Sequence, residues 1–128
     1  MSVANIDHIV VGPTGVWVIE TKNSTGRVRV ERGDLRVNGR RRAGVFEEIE
    51  REGNAVARVV GPHGVKPILV VHRADFPLFG WPNLRGVPVV TAKEAVKRIR
   101  RALVALTRDE VTEVAGGVDR ALPPALGG

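Results

Sequence analysis

The chain has 128 residues, 43% of them hydrophobic, which is the length and composition of one globular domain. It contains no cysteine, so disulfide frameworks, thiolate zinc sites and cysteine nucleophiles are excluded. Twenty Lys and Arg residues, only four of them Lys, against fourteen Asp and Glu give a net charge of +6, which favours a phosphate-rich partner.

Strand-forming residues dominate the first part of the chain. Two apolar runs, residues 5–12 and 15–22, flank a Pro-Thr turn and predict a β-hairpin. Residues 26–31 alternate arginine with valine, which predicts a separate, half-buried strand. Residues 34–39 predict its short partner, which ends at an Asn-Gly turn.

Three segments have helical patterns. Val45–Val60 has apolar residues at helical spacing with acidic residues between them, and turn residues follow it. Capping boxes that begin at Thr91 and Thr107 predict two further helices. Beyond Gly116 and Gly117 the composition is typical of a linker, so we expect a flexible C-terminal tail over residues 116–128.

The remaining strands define the fold class. Residues 66–72 form a continuous apolar run, which predicts a central strand buried on both faces. Pro88 lacks an N–H donor, so residues 87–90 are expected at a sheet edge or at the start of a strand. This order of elements predicts an α/β fold with a mixed central β-sheet flanked by helices.

Three charged residues of the first hairpin form the candidate site. Glu20 and Lys22 are two residues apart in an extended strand, so both side chains point to one face. Asp7 faces them if the turn holds an even number of residues, whereas a three-residue turn sends it to the other face. Two carboxylates can hold a hard divalent cation, and a lysine can stabilise charge on a phosphodiester. Acid and lysine pairs at strand ends also occur as ordinary solvated surface charges.

Residues 5–26 resemble the signature of the nuclease-related domain (NERD) family, which is similar to a branch of the PD-(D/E)XK nuclease superfamily. The match consists of an acid, an apolar strand, a Gly-Pro-x-Gly turn, a second apolar strand and a Glu-x-Lys motif. The resemblance implies a restriction-endonuclease-like core in which Asp7, Glu20 and Lys22 are catalytic. It also implies Mg²⁺ or Mn²⁺ as cofactor, held by Asp7, Glu20 and the Thr21 carbonyl oxygen.

Two features depart from the family pattern. Members usually carry a Gln-Ala-like pair on the helix after the Glu-x-Lys strand, and the nearest residues here are Glu52 and Gly53, which makes Glu52 an accessory candidate. A helix with an acidic residue usually precedes the first strand, but here the motif starts at Asn5. We therefore expect a nuclease-related domain over residues 1–115 that lacks its usual N-terminal helix.

The arginines indicate a nucleic-acid surface. They are expected to contact the phosphates of DNA or RNA without sequence preference, and they are Arg27, Arg29, Arg40, Arg41 and Arg42. A solvated hairpin face is the alternative interpretation of the same residues. The predicted function is that of a magnesium-dependent DNA endonuclease, a hydrolase, and the alternative is a catalytically inactive nucleic-acid-binding or regulatory module with the nuclease fold. Without a long apolar run or a secretory signal, we expect a cytoplasmic protein with no membrane partner.

Overall fold

The computed structural model describes residues 8–121, and the structural statements below concern that part of the chain. The strands are β1 His8–Gly12, β2 Gly15–Glu31, β3 Asp34–Val37, β4 Arg40–Arg41, β5 Lys66–Asp75, β6 Asn83–Leu84 and β7 Val87–Val90. The α-helices are α1 Val45–Val60, α2 Ala92–Arg101 and α3 Arg108–Ala121, and a 3₁₀ turn, Gly61–His63, follows α1. The predicted α/β fold with a mixed central sheet is confirmed. No helix in this part of the chain is long and apolar enough to cross a membrane.

The sheet is organised around β2 and β5. Its strands follow the order β4-β3-β2-β5-β7-β6, and β1 and β3 pair antiparallel with successive parts of β2. β5 pairs in parallel with both β2 and β7, and residues 68–71 are all buried, as the apolar run predicted. β6 forms the edge beside β7, so β7 is not itself an edge strand, and Pro88 is its second residue.

β2 is a single strand of 17 residues where the sequence pattern predicted two. Gly26 lies within it with a φ of 130°, a conformation that favours glycine. The register with β5 shifts between Asn23 and Gly26, close to Arg73, whose φ is 63°. The turn-forming residues at 23–26 therefore mark an irregularity inside a continuous strand rather than the end of a strand.

Apolar side chains of β2 pack on both faces of the sheet. Val16, Val18 and Val28 belong to clusters that include side chains of α1. Trp17, which points the other way, packs in a cluster with Ala95 of α2. Side chains of α3 join the cluster of Val16 and Val18. Helices α1 and α3 thus cover one face of the sheet, here called the α1 face, and α2 covers the opposite α2 face.

The capping predictions for the last two helices are confirmed. Thr91 Oγ1 accepts a hydrogen bond from Glu94 N at 3.2 Å at the start of α2. At the start of α3 the box is reciprocal, because Thr107 Oγ1 accepts from Glu110 N at 3.2 Å and Glu110 Oε1 accepts from Thr107 N at 2.9 Å. α1 has the predicted bounds.

Helix α3 extends into the segment predicted as a tail. It continues through two glycines to Ala121, and Val118 is buried against the α1 face together with Val114. Burial of these two valines one turn apart outweighs the low helix propensity of Gly116 and Gly117. The packed part of the domain therefore extends past residue 115, and residues 122–128 lie outside the described part of the chain.

Candidate metal centre

Glu20 and Lys22 lie on the α1 face, as their spacing predicted. They continue the alternation of Val16 and Val18, and Glu20 is only 3% exposed. The Lys22 Nζ atom lies 3.4 Å from Glu20 Oε1. A charged pair is therefore placed where the same face of the strand otherwise carries core valines.

Helix α1 adds two more carboxylates to this position. Glu48 and Glu52 are one helical turn apart, and Glu52 is 2% exposed. One carboxylate oxygen from each of Glu20, Glu48 and Glu52 lies within 4.8 Å of the others, and we call this group the carboxylate cluster. Lys22 Nζ donates a hydrogen bond to Glu48 Oε2 at 3.2 Å, which links the strand to the helix.

Two opposing effects act on the pKa of Lys22. Partial burial lowers this pKa because it disfavours the charged ammonium, whereas the hydrogen bond and negative charge of Glu48, and then those of Glu20, raise it. The carboxylates prevail, so the pKa lies above its usual range. Lys22 is consequently a cation at neutral pH, able to donate hydrogen bonds and to balance negative charge.

The carboxylate cluster fits a hard divalent cation. Mg²⁺ and Mn²⁺ prefer oxygen ligands, and the cluster offers three side chains that can converge on one ion. With Lys22, the three carboxylates carry a formal charge of −2, which one divalent cation would neutralise. Burial of carboxylates is unfavourable unless cations or hydrogen bonds compensate for lost hydration. Donor type, spacing and charge therefore agree with a single metal site.

Sequence reasoning identified part of this arrangement. The structure brings together Glu20, Lys22 and the accessory candidate Glu52, while Asp7 lies outside the described residues. Thr21 lies between Glu20 and Lys22 in β2, so its side chain points to the opposite face. Glu48 was missed, although its position one turn before Glu52, on the helix after the Glu-x-Lys motif, was a usable signal.

The predicted nucleic-acid-binding arginines divide between the two faces of the sheet. Arg27 and Arg29 alternate with valines of the α1 face, so they point away from the carboxylate cluster. Arg27 and Arg29 thus share one strand face, and it is the face opposite to that of the candidate catalytic residues. Arg42 donates a hydrogen bond at 2.7 Å to Ser24 Oγ, and Ser24 is two residues beyond Lys22 in β2.

Acidic side chains neutralise part of the arginine-rich hairpin formed by β2, β3 and β4. Two acids, Glu31 and Asp34, each lie within ion-pair distance of two arginines. The distances are 3.9 Å for Glu31 with both Arg29 and Arg36, 3.3 Å for Asp34 with Arg41, and 3.8 Å for Asp34 with Arg85. Arg40 is exposed and pairs with Val37 in the ladder. The hairpin is thus less positive than its sequence suggests.

Comparison with known proteins identifies a family. The sequence model of the nuclease-related domain family matches residues 2–74, more than half of the chain, and the matched range includes Lys22 and the whole carboxylate cluster. No significant match was found among curated proteins or among solved structures. The chain belongs to the nuclease-related domain (NERD) family.

Proposed function

We propose that this domain hydrolyses phosphodiester bonds of DNA with a divalent cation, Mg²⁺ or Mn²⁺, bound at the carboxylate cluster. The observation that carries the proposal is the convergence of Glu20 and Glu52, both almost fully buried, with Glu48 and with the Lys22 ammonium. Membership of a nuclease-related family supports nucleic acid as the substrate.

The position of each side chain indicates its role. Glu20 and Glu52 would bind the cation from the strand and from the helix, and Glu48 would serve as a third ligand while it holds Lys22. The bound cation would supply Lewis-acid stabilisation of the phosphate and a water of lowered pKa. Lys22 Nζ would donate hydrogen bonds to a non-bridging phosphate oxygen and stabilise the negative charge that develops there.

Asp7 and the Thr21 carbonyl oxygen complete the proposed ligand set. Gly12 pairs with Gly15, so the turn between β1 and β2 holds two residues. An even number is the condition under which Asp7 is expected on the face of Glu20. The register thus supports the role that the family resemblance implies for Asp7.

Nicking of supercoiled plasmid DNA tests the proposal. We expect the wild-type chain to nick it with Mg²⁺ or Mn²⁺ and not in EDTA. Glu20→Ala and Lys22→Ala should each lower the rate by about 100-fold or more, since Glu20 would hold the cation and Lys22 would stabilise the charge on the reacting phosphate. Glu50→Ala is the matched control, because Glu50 is an exposed acid of the same helix outside the cluster. Cleavage in EDTA, or an equal loss in the control, would contradict the proposal.

A second candidate function is a catalytically inactive nucleic-acid-binding module. The observation that favours it is the position of the Lys22 ammonium, which lies within ion-pair distance of both Glu20 and Glu48 and could replace a metal ion as their counter-charge. In that case Mn²⁺ would leave the melting temperature unchanged and no nicking would occur. A melting temperature that rises with Mn²⁺ in the wild type, but not in Glu20→Ala, favours the metal-dependent function.

A further inference from the structure

Helix α2 carries a row of exposed cations on the opposite side of the sheet from the carboxylate cluster. Lys93, Lys97, Arg100 and Arg101 follow the spacing i, i+4, i+7 and i+8, so they share one side of the helix. Within residues 8–121, none of these four side chains lies within ion-pair distance of an acid. We call these four residues the α2 surface.

The composition of α2 leaves this charge uncompensated. The helix holds five basic residues and one acid, a formal charge of +4. Its acid, Glu94, accepts a hydrogen bond from Arg98 Nε at 3.1 Å and is therefore already engaged. The opposite side of the helix is fixed to the sheet, because Ala95 is 4% exposed and packs with Trp17. The cations are thus displayed on a rigid element.

The α2 surface differs in this respect from the arginine-rich hairpin. On the hairpin, Glu31 and Asp34 lie within ion-pair distance of Arg29, Arg36 and Arg41. The other four arginines of residues 27–42 have no acid within that distance in the described part of the chain, but they are spread over two strands and two connecting segments; they are Arg27, Arg32, Arg40 and Arg42. The four cations of the α2 surface instead lie together on one side of a single helix. Unpaired cations can release the counterions of a polyanion and gain its full electrostatic attraction, whereas paired cations must first separate from their acids. The α2 surface is therefore the stronger candidate for phosphate binding.

We propose that the α2 surface is the main docking surface for the phosphate backbone of DNA. The choice of DNA as partner rests on the proposed function, but the docking itself needs neither metal nor cleavage. From Lys93 to Arg101 the helix advances about 12 Å, the length of about four phosphates along one strand of a duplex. Exposed apolar residues nearby, Val96 and Leu103, would also suit an anionic membrane, so the test includes that partner.

The location of this surface has a consequence for catalysis. The sheet separates α2 from the carboxylate cluster, so the backbone segment bound on α2 is not the segment that reaches Lys22. Loss of the α2 surface should raise the DNA concentration needed for half-maximal cleavage and leave the rate at saturating DNA unchanged.

Binding of a fluorescent duplex of about 30 base pairs in EDTA, titrated between about 50 and 200 mM salt, tests the docking directly. The double variant Lys97→Gln/Arg101→Gln removes two cations from the α2 surface. The matched variant Arg29→Gln/Arg41→Gln removes two from the hairpin, so both have the same net charge. We expect the α2 variant to lose about tenfold or more in affinity and about two units of salt slope, and the hairpin variant to stay within about threefold of wild type.

Three results would overturn the docking proposal. An equal loss in both variants would mean that net charge alone controls affinity, and unchanged affinity in the α2 variant would place the DNA elsewhere. Unchanged DNA affinity with lost binding to phosphatidylserine vesicles would identify a membrane surface instead. The two proposals can fail separately: a wild-type chain that binds DNA through α2 but never cleaves it supports the docking and contradicts the proposed catalysis.

Discussion

The two halves of β2 follow the same alternation of side chains but place charge on opposite faces. In the first half Glu20 and Lys22 stand on the α1 face, and Glu20 is 3% exposed. In the second half valines occupy that face, and Arg27 and Arg29 are exposed on the other. A charge on the covered face is unfavourable unless a specific partner offsets it, whereas a charge on the open face has little effect on folding. The contrast supports the proposal that the first half of β2 carries the chemistry, while the charges of the second half lie at the surface.

Helix α1 shows the same contrast along its buried side. Four of the five buried positions are apolar, Val45, Ile49, Val56 and Val60, and they pack at the two ends of the helix. The fifth is Glu52, which lies between Ile49 and Val56, each at most 1% exposed. An acid at a core position of an amphipathic helix lowers stability unless a cation or a hydrogen-bond partner compensates for its lost hydration. Strand and helix thus depart from the apolar pattern at the same place.

Replacement of Glu52 should have the largest effect on stability and activity. It tests whether the buried carboxylate cluster depends on a metal ion. Without metal, Glu52→Gln should raise the free energy of unfolding by about 1 kcal/mol, because one of three mutually repelling carboxylates is removed. With Mn²⁺ at about 100 times its Kd, the free energy of unfolding of the wild type should rise by about 2.7 kcal/mol, which makes the wild type more stable than the variant. Cleavage by the variant should fall about 100-fold.

Thermal melts with and without Mn²⁺ measure this reversal. Glu50→Gln is the control, since it removes an exposed acid from the same helix and should show no reversal. If Glu52→Gln is the less stable protein in both conditions, the cluster is a structural hydrogen-bond network and the contrast with the exposed half loses its chemical meaning.

Sequence reasoning predicted the fold well wherever one local pattern was strong. The bounds of α1 follow from helical spacing, and the buried centre of β5 from a continuous apolar run. The continuity of β2 could not be read in this way, since Gly26 is a turn residue in most contexts. The role of Gly26 depends on Asn38, which is twelve residues later in the sequence but close in space. Asn38 Oδ1 accepts a hydrogen bond at 2.9 Å from the backbone N–H of Arg27, the residue after Gly26.

In the candidate site, too, residues on one strand could be predicted, whereas contacts between distant elements could not. Glu20 and Lys22 lie on one strand, so their period fixes a common face. Glu48 reaches Lys22 across 26 residues of sequence, and that contact depends on how α1 is laid on the sheet. The ion pair of Asp34 with Arg85 has the same origin, because Arg85 meets Asp34 only when β6 and β7 have joined the sheet.

Replacement of Gly26 should give the next largest effect and tests whether the two halves form one strand. A Cβ at Gly26 would overlap the Asn38 side chain, and the φ of 130° is strained for any other residue. We expect Gly26→Ala to lower the free energy of unfolding by about 2–3 kcal/mol in urea titrations. Gly39→Ala is the control, since Gly39 also has a positive φ, 77°, but open space around it, and should cost about 1 kcal/mol. Equal losses would remove the overlap with Asn38 as a cause.

Glu110 is an intermediate case, a partly exposed acid with a specific hydrogen bond. The backbone N–H and then the side chain of Thr107 lower the pKa of Glu110, and the charge of His63 adds to this, against a small opposing effect of desolvation. A carboxyl group whose pKa is lower in the folded than in the unfolded protein stabilises the fold at any pH above its unfolded-state pKa. This stabilisation is lost as the pH falls through its folded-state pKa. Glu110→Gln should therefore melt below wild type at pH 7, and the difference should shrink as the pH falls below the ordinary glutamate pKa of about 4.3. Glu113→Gln is the control, and a pH-independent difference for Glu110→Gln would contradict this explanation.

Removal of an exposed hairpin arginine should give the smallest effect and completes the contrast with the buried half. Arg41 Nε lies 3.3 Å from Asp34 Oδ1, but the Arg41 side chain is 57% exposed, so water and salt screen the pair. Asp34 also keeps Arg85 at 3.8 Å when Arg41 is absent. Arg41→Ala should thus lower the free energy of unfolding by less than about 0.5 kcal/mol in urea titrations at low salt, and by less still in about 1 M NaCl. A loss above about 1 kcal/mol that persists in high salt would show that the arginine-rich hairpin also depends on specific charge pairs, and burial alone would no longer separate the carboxylate cluster from the exposed hairpin.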